Sequence, residues 1–376
     1  MSEISFPYCP YAACPRHYPS HDHPYVEFSP WGFYDTKTFG TVSRFRCTVC
    51  GRTFSTQTFS LDYYAKRRVN YRGLLGRLVS TSSLSAMGRV LGLSTDSVSN
   101  RISRAARQAL AAESRLARSR GPQENLAADG FESFCVSQYF PNNIQILVGS
   151  RSQFVYAADH ATIRRKGSMT AFQKKKRAEL EERFRPEPKA VERSFTRIVG
   201  DCLRVLSDGS RPALILWTDQ HRAYPRGIEA SACAKALQSL GRLRHLTISS
   251  RAERTLQNPL FPVNYLDREL RKDLHEHVRE STAFGRNVNR QMERLVLYLF
   301  HHNYLKRHRS RGEARSHAEL AGYEHKAIVR EVATIFRRRS LLSLTSLTPS
   351  MEDTWLRKWK TPLHEKKDYL PKYAAA

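Results

Sequence analysis

Pro212-Ala-Leu-Ile-Leu-Trp-Thr-Asp219-Gln-His221 packs an unbroken apolar run between a proline and a polar stop and ends on a carboxylate. A short run of this kind reads as a strand buried on both faces. A second stretch, Asn125-Leu-Ala-Ala-Asp129-Gly130-Phe131, repeats the pattern, with small apolar residues leading into an aspartate. A carboxylate at the end of a buried strand is costly unless something compensates its charge. Either aspartate alone would pass as a strand-end cap or turn former. Two of them ending apolar strands of one mixed sheet repel each other, and such a pair is expected to bind a cation or share a proton.

Working outward, 135–140 and 144–148 are β-rich runs joined by Pro141-Asn142-Asn143, a hairpin signal, and 154–158 extends the group. Helical patterns follow over 170–185 and 189–206, then a strand over 243–248 and helices over 263–280 and 287–308. Strands alternating with helices predict a mixed-sheet α/β domain over 126–310, with a basic helical C-terminal extension over 311–376.

Before this region, Ser83 to Ala106 carries two helical patterns separated by Gly92-Leu93-Ser94. Ala86, Val90 and Leu91 form one apolar face, and Val98, Ile102 and Ala105 form the next. A glycine for the bend, an apolar pin and a serine cap make this a helix-turn-helix over 66–118, with 95–109 as the recognition helix. Ser97, Ser99, Asn100, Arg101, Arg104 and Arg107 are expected to face outward, toward base edges and phosphates. An ordinary helical hairpin would need neither that turn nor that basic face. The polar stretch 118–125 reads as a linker.

Residues 1–65 hold Cys9-Pro-Tyr-Ala-Ala-Cys14 and Cys47-Thr-Val-Cys50-Gly51. Two short cysteine pairs separated by a strand-like loop predict a zinc ribbon, four thiolates converging on one Zn²⁺. The first pair is spaced wider than usual, and His17, His21 or His23 could replace a thiolate. So small and aromatic a segment has little core without a metal. The remaining three of the seven cysteines stand singly, which argues against a disulfide framework.

Over 376 residues, 62 Lys and Arg against 35 Asp and Glu leave a net charge of +27. A surplus of that size attracts polyanions, nucleic acid foremost. With 40% apolar residues the chain has the makings of a core, and its apolar runs are too short to span a bilayer. A location in the cytoplasm, on DNA, is the expectation. In that setting the cation at the aspartates would be Mg²⁺ or Mn²⁺, two ions about 4 Å apart serving phosphodiester chemistry.

The order of these parts resembles bacterial insertion-sequence transposases of the DDE type. The likeness rests on Cys47-x-x-Cys50-Gly-Arg-Thr-Phe54, the helix-turn-helix, the surroundings of Asp129, Trp217-Thr-Asp-Gln-His-Arg-Ala-Tyr224, His245, and Asn264-Tyr-Leu-Asp267-Arg268. It implies a ribonuclease H-like catalytic domain, cleavage of element ends with strand transfer into double-stranded target DNA, and a homo-oligomer on DNA. It also implies a third acid on the helix carrying Asp267, where relatives carry Glu in an Asn-x-x-Glu motif. Asp267 is the first choice for that role, then Asn264, Glu269 and Glu293; Arg268 and Arg271 are candidates for phosphate contacts. The competing readings are a zinc-ribbon, helix-turn-helix regulator with an inactive last domain, and a nuclease that only hydrolyses.

Overall fold

The computed structural model describes residues 8–18, 28–117, 121–204, 213–278, 284–312 and 314–375. The chain begins with a three-stranded antiparallel sheet, β1 (Phe28–Thr36), β2 (Gly40–Cys47) and β3 (Thr53–Ser55), in the order β1-β2-β3. Three helices follow: α1 (Tyr71–Leu78), α2 (Leu84–Leu91) and α3 (Thr95–Ala117). The Ser83 hydroxyl caps α2 by accepting from the Ala86 N–H. Gly92 closes the helix in the left-handed conformation, φ 60°. The turn packs tightly, since a Cβ on Gly88 would lie 2.6 Å from the Leu93 carbonyl oxygen. Helices α2 and α3 are thus joined by a tight turn, with Met87 and Gly88 forming the buried face of α2 and Val90 exposed.

The main sheet has five strands: β4 (Leu126–Phe134), β5 (Pro141–Gly149), β6 (Val155–Thr162), β7 (Leu214–Asp219) and β8 (Leu243–Ile248). Their order is β6-β5-β4-β7-β8, with β4, β5 and β6 antiparallel neighbours and β7 and β8 parallel to β4. The expected hairpin is displaced. Phe134 pairs with Pro141, so 135–140 is the connection and Pro141 to Asn143 open β5. Helices α4 (Ala171–Arg183), α5 (Ala190–Leu203), α6 (Ala223–Ala230) and α7 (Ala232–Ser239) follow in chain order. One face of the sheet is covered by α5, α6 and α7, through Phe195, Ile198, Tyr224, Ile228 and Leu237. The other carries α8 (Phe261–Asp273) and α9 (Val288–Phe300), packed through Val263, Leu266, Leu270, Met292 and Leu295. No helix among the described residues is long and apolar enough to cross a membrane.

One apolar core runs from Leu61 and Tyr71 through Val98 and Ile102 to Phe131, Leu266, Leu295 and Ile335. Helix α3 is its central strut, and this overturns part of the outward-facing set. Arg101 is buried, donating to the Asp62 carboxylate at 3.0 Å and the Arg67 carbonyl at 2.5 Å. Arg104 is buried against the Leu61 and Tyr63 carbonyls, 2.9 and 2.6 Å away, with its guanidinium over the Tyr373 ring. Arg107 is buried against Glu293 at 2.9 Å. Helical periodicity puts these arginines opposite the apolar stripe of α3, but residues 61–67 cover Arg101 and Arg104 there, and α9 with the C-terminal segment covers Arg107. Ser97, Ser99 and Asn100, in the first turns, keep partial exposure.

Glu293, Arg107 and Arg357 form an ion triad in the interior. The Arg357 Nε lies 2.7 Å from the same Oε1 that Arg107 reaches, and the Ser103 hydroxyl donates to it at 3.0 Å. Burial alone would raise the Glu293 pKa, but the two guanidiniums outweigh it and hold the carboxyl at about 2. The triad ties α3, α9 and the C-terminal segment together. Glu293→Gln leaves two buried guanidiniums facing each other and should cost on the order of 3–5 kcal/mol, read by urea denaturation. A change below about 1 kcal/mol would show the triad to be energetically neutral.

Candidate functional site

Leu126 of β4 pairs with Leu216 of β7, so three residues on, Asp129 and Asp219 stand level on adjacent parallel strands. Pairing stops after Ala127 and Trp217, and the strands part there. Even so, the Asp219 charge acts on Asp129. Both share the face of Ala127 and Trp217, the face packed by α8, whose Asp267 lines one cleft with Asp129. Asn264, Tyr265, Arg254, Arg268 and Arg271 complete its walls.

The electrostatics show how closely the three acids are placed. Burial raises the Asp129 pKa, with the Asp219 charge adding to it and the Gly130 N–H and Tyr224 hydroxyl opposing. Asp267 is pushed well above the usual carboxylate range, first by burial and then by Asp129, against Arg271 and Arg254. Asp129 is thus the carboxylate common to both interactions. Asp267 Oδ1 is buried with no hydrogen-bond partner. A buried acceptor left open toward a polar cleft is the condition a cation would relieve.

Several neighbours hold this arrangement. The Tyr224 hydroxyl donates to Asp129 Oδ1 at 3.1 Å, and the Gly130 N–H donates to the same oxygen at 2.7 Å. The His221 backbone N–H donates to Asp219 Oδ1 at 2.8 Å. His245 shares a 2.9 Å hydrogen bond with the Thr218 hydroxyl beneath Asp219, and burial lowers its pKa, so it supports the strand. Tyr224 and Arg254 were not singled out from sequence. The tyrosine closes the Trp217 to Tyr224 stretch and could have been read from there; Arg254 comes from a loop with no periodicity.

The alternatives for the third acid separate cleanly. Asn264 lines the cleft beside Asp267. Glu269 points elsewhere, into an ion pair with Lys306 and toward His302 Nδ1 at 3.5 Å. Glu293 belongs to the interior triad. Arg271 donates to the Glu132 carbonyl at 2.9 Å and lies over the Phe131 ring, while Arg268 lies over Tyr265.

The second cluster is the cysteine set. Cys9 and Cys50 Sγ atoms are 3.8 Å apart, as are those of Cys14 and Cys47. Zn–S bonds of about 2.3 Å at a tetrahedral angle give sulfur–sulfur edges of about 3.8 Å. Among the described residues these four are the one set of His, Cys, Asp or Glu ligand atoms lying within 4.8 Å of one another. They could hold a structural metal such as zinc; the three aspartates are not a closed cage of that kind. Gly51, at φ 70°, makes the knuckle after Cys50 and donates its N–H to the Cys47 carbonyl at 2.9 Å. Burial raises the Cys9 and Cys14 thiols. At Cys47 burial is outweighed by the Cys50 and Val49 N–H groups, which lower it. His17 is not a ligand: its ring bonds the Cys9 carbonyl and the Ser343 hydroxyl, each at 2.7 Å. His21 and His23 lie outside the described residues.

No protein-family model matches this chain, and no curated protein matches it.

Proposed function

We propose that this protein is a DNA transposase of the DDE type, cutting element ends and joining them to target DNA with divalent metal. The observation that carries the reading is that Asp129 and Asp267 line one arginine-rimmed cleft, with Asp219 level with Asp129 on the adjacent parallel strand. The sheet order, three antiparallel strands followed by two parallel ones with the third acid on a packed helix, supports a ribonuclease H-like catalytic domain.

In this reading Asp129, Asp219 and Asp267 hold Mg²⁺ or Mn²⁺, with Asp129 placed to be shared. Bound there, the ions would activate an attacking hydroxyl and stabilise the leaving oxygen. Tyr224 fixes the Asp129 carboxylate, and its own pKa, raised by burial and by Asp129, keeps it a hydroxyl donor. Arg254, Arg268 and Arg271 offer positive charge where a scissile phosphate would lie. The accessible first turns of α3, with Ser97, Ser99 and Asn100, are the part of the helix-turn-helix available to a DNA groove. The partner proposed is double-stranded DNA, bound by a homo-oligomer.

The test is cleavage and strand transfer of a labelled duplex carrying the DNA end that flanks the coding sequence, in Mg²⁺ and in Mn²⁺. Metal-dependent nicking and joining are expected. Nicking without joining would make the protein a hydrolytic nuclease, and binding without either would make it a regulator. The same assay settles the third ligand. Asp267→Ala should lose at least about 10³-fold in rate, since it removes a charge from the ions. Asn264→Ala should lose far less, and the reverse order would transfer the role to Asn264.

A further inference from the structure

A second cavity, of about 310 Å³, lies at the outer edge of the main sheet, bounded by β6, α5 and 358–360. Its floor is Asp159, 1% exposed, and Ser194, 3% exposed. Neither Asp159 Oδ1 nor Ser194 Oγ has a hydrogen-bond partner. Arg197 is the cation beside them, 3.6 Å from Asp159 Oδ1 and 2.6 Å from Asp353. Its guanidinium also lies over the Trp359 ring, 5.3 Å from the centroid. At the mouth, Arg193 and Lys360 share one exposed acid, Glu187. The cavity thus pairs a buried acceptor floor with an aromatic and guanidinium wall and a basic rim.

We propose that this cavity takes one unpaired nucleotide, its base against Trp359 and Arg197 and its phosphate at Arg193 and Lys360, with guanine preferred. Flat aromatic and guanidinium surfaces stack any base, and Asp159, which burial raises to about 7 against Arg197 and Ser194, accepts from paired donors in its ionised form. Guanine alone among the DNA bases presents a ring N–H beside an amino group, the donor pair that one carboxylate accepts. The volume exceeds what a single base needs. Asp159 pairs in register with Gln145, and Gln145 with Gly130, so its side chain lies on the α5 face of the sheet, two strands from β4 and opposite the α8 face that carries Asp129. The choice of DNA as source rests on the proposed function; the pocket chemistry does not.

The experiment is titration calorimetry of the full chain, and of Asp129→Asn, with dGMP, dAMP, dCMP, dTMP and inorganic phosphate. In parallel, a duplex with one unpaired 2-aminopurine or guanine is compared with the fully paired duplex. Expected are dGMP binding in both proteins, at least about tenfold weakening by Trp359→Ala, and loss of the guanine preference in Asp159→Asn. Ser194→Ala, a smaller change, should weaken dGMP two- to fivefold while leaving the melting temperature unchanged. The unpaired duplex should bind more tightly than the paired one, and dGMP should compete away that difference. Absence of nucleotide binding by the folded protein overturns the proposal, as does phosphate competing as well as dGMP. Binding of dGMP without any DNA cleavage would leave the pocket standing and sink the transposase reading alone.

Discussion

Asp129→Asn and Asp219→Asn should each lower DNA cleavage and joining by at least about 10³-fold, equivalent to about 4 kcal/mol of barrier, while end binding stays within a few-fold of wild type. Each substitution keeps size and shape and removes one negative charge from a site proposed to hold cations against an anionic phosphate. Asp129 is the stricter test because it feels the Asp219 charge and in turn raises Asp267. Removing it also relieves repulsion, so Asp129→Asn should be at least as stable to urea as wild type. That pairing of lost activity with kept stability separates a site acid from a structural one. Tyr224→Phe, which frees one Asp129 oxygen, should lower kcat by about tenfold with KM nearly unchanged, as expected of a positioning residue. Full activity in Asp129→Asn would overturn the mechanism, whatever the other variants do.

Most of the main sheet could be read in the sequence from short apolar runs, Leu126 to Ala128, Ile144 to Val148 and Leu214 to Trp217. Asp129 and Asp219 stood out for the same reason, as charges ending such runs. What escaped was everything set by distant partners. The arginines of α3 follow the polar face of the helix, and nothing local reveals that Trp355, Arg357 and Tyr373 return some 250 residues later to bury it. Glu293 looked available as a ligand until Arg107 and Arg357 were found on either side of it. The hairpin at Pro141 slipped because proline and two asparagines read as a turn, whereas here they start an inner strand. Their side chains pair inward, Asn142 with Gln291 and His160.

The ribbon gives the other large effect. With the metal removed by a strong chelator, or in Cys47→Ser, amides of β1, β2 and β3 should exchange with solvent as fast as in an unfolded chain, while β4 to β8 stay protected. The reason is the size of the local core. Cys9, Cys14, Cys47 and Phe54 are its buried apolar members, and three of the four are the proposed ligands. Structural zinc contributes on the order of 10–16 kcal/mol to such modules near neutral pH, more than this cluster could replace. Elemental analysis should first find about one zinc per chain. The loss should spread in one direction only, along the contacts joining the ribbon to the C-terminal segment. Ser60 bridges to Arg338, Arg339 donates to the Thr58 carbonyl at 3.2 Å, and His17 bonds Ser343. Exchange at 338–343 should therefore quicken together with β1 to β3, because its partners there are gone. Helix α3 and the five-stranded sheet draw their burial from the large core and need none of these contacts. A metal-free protein whose β1 to β3 amides remained protected would show that the ribbon folds on its aromatic residues, Phe28, Phe45, Phe54 and Phe59, and that the cysteines serve something other than its stability.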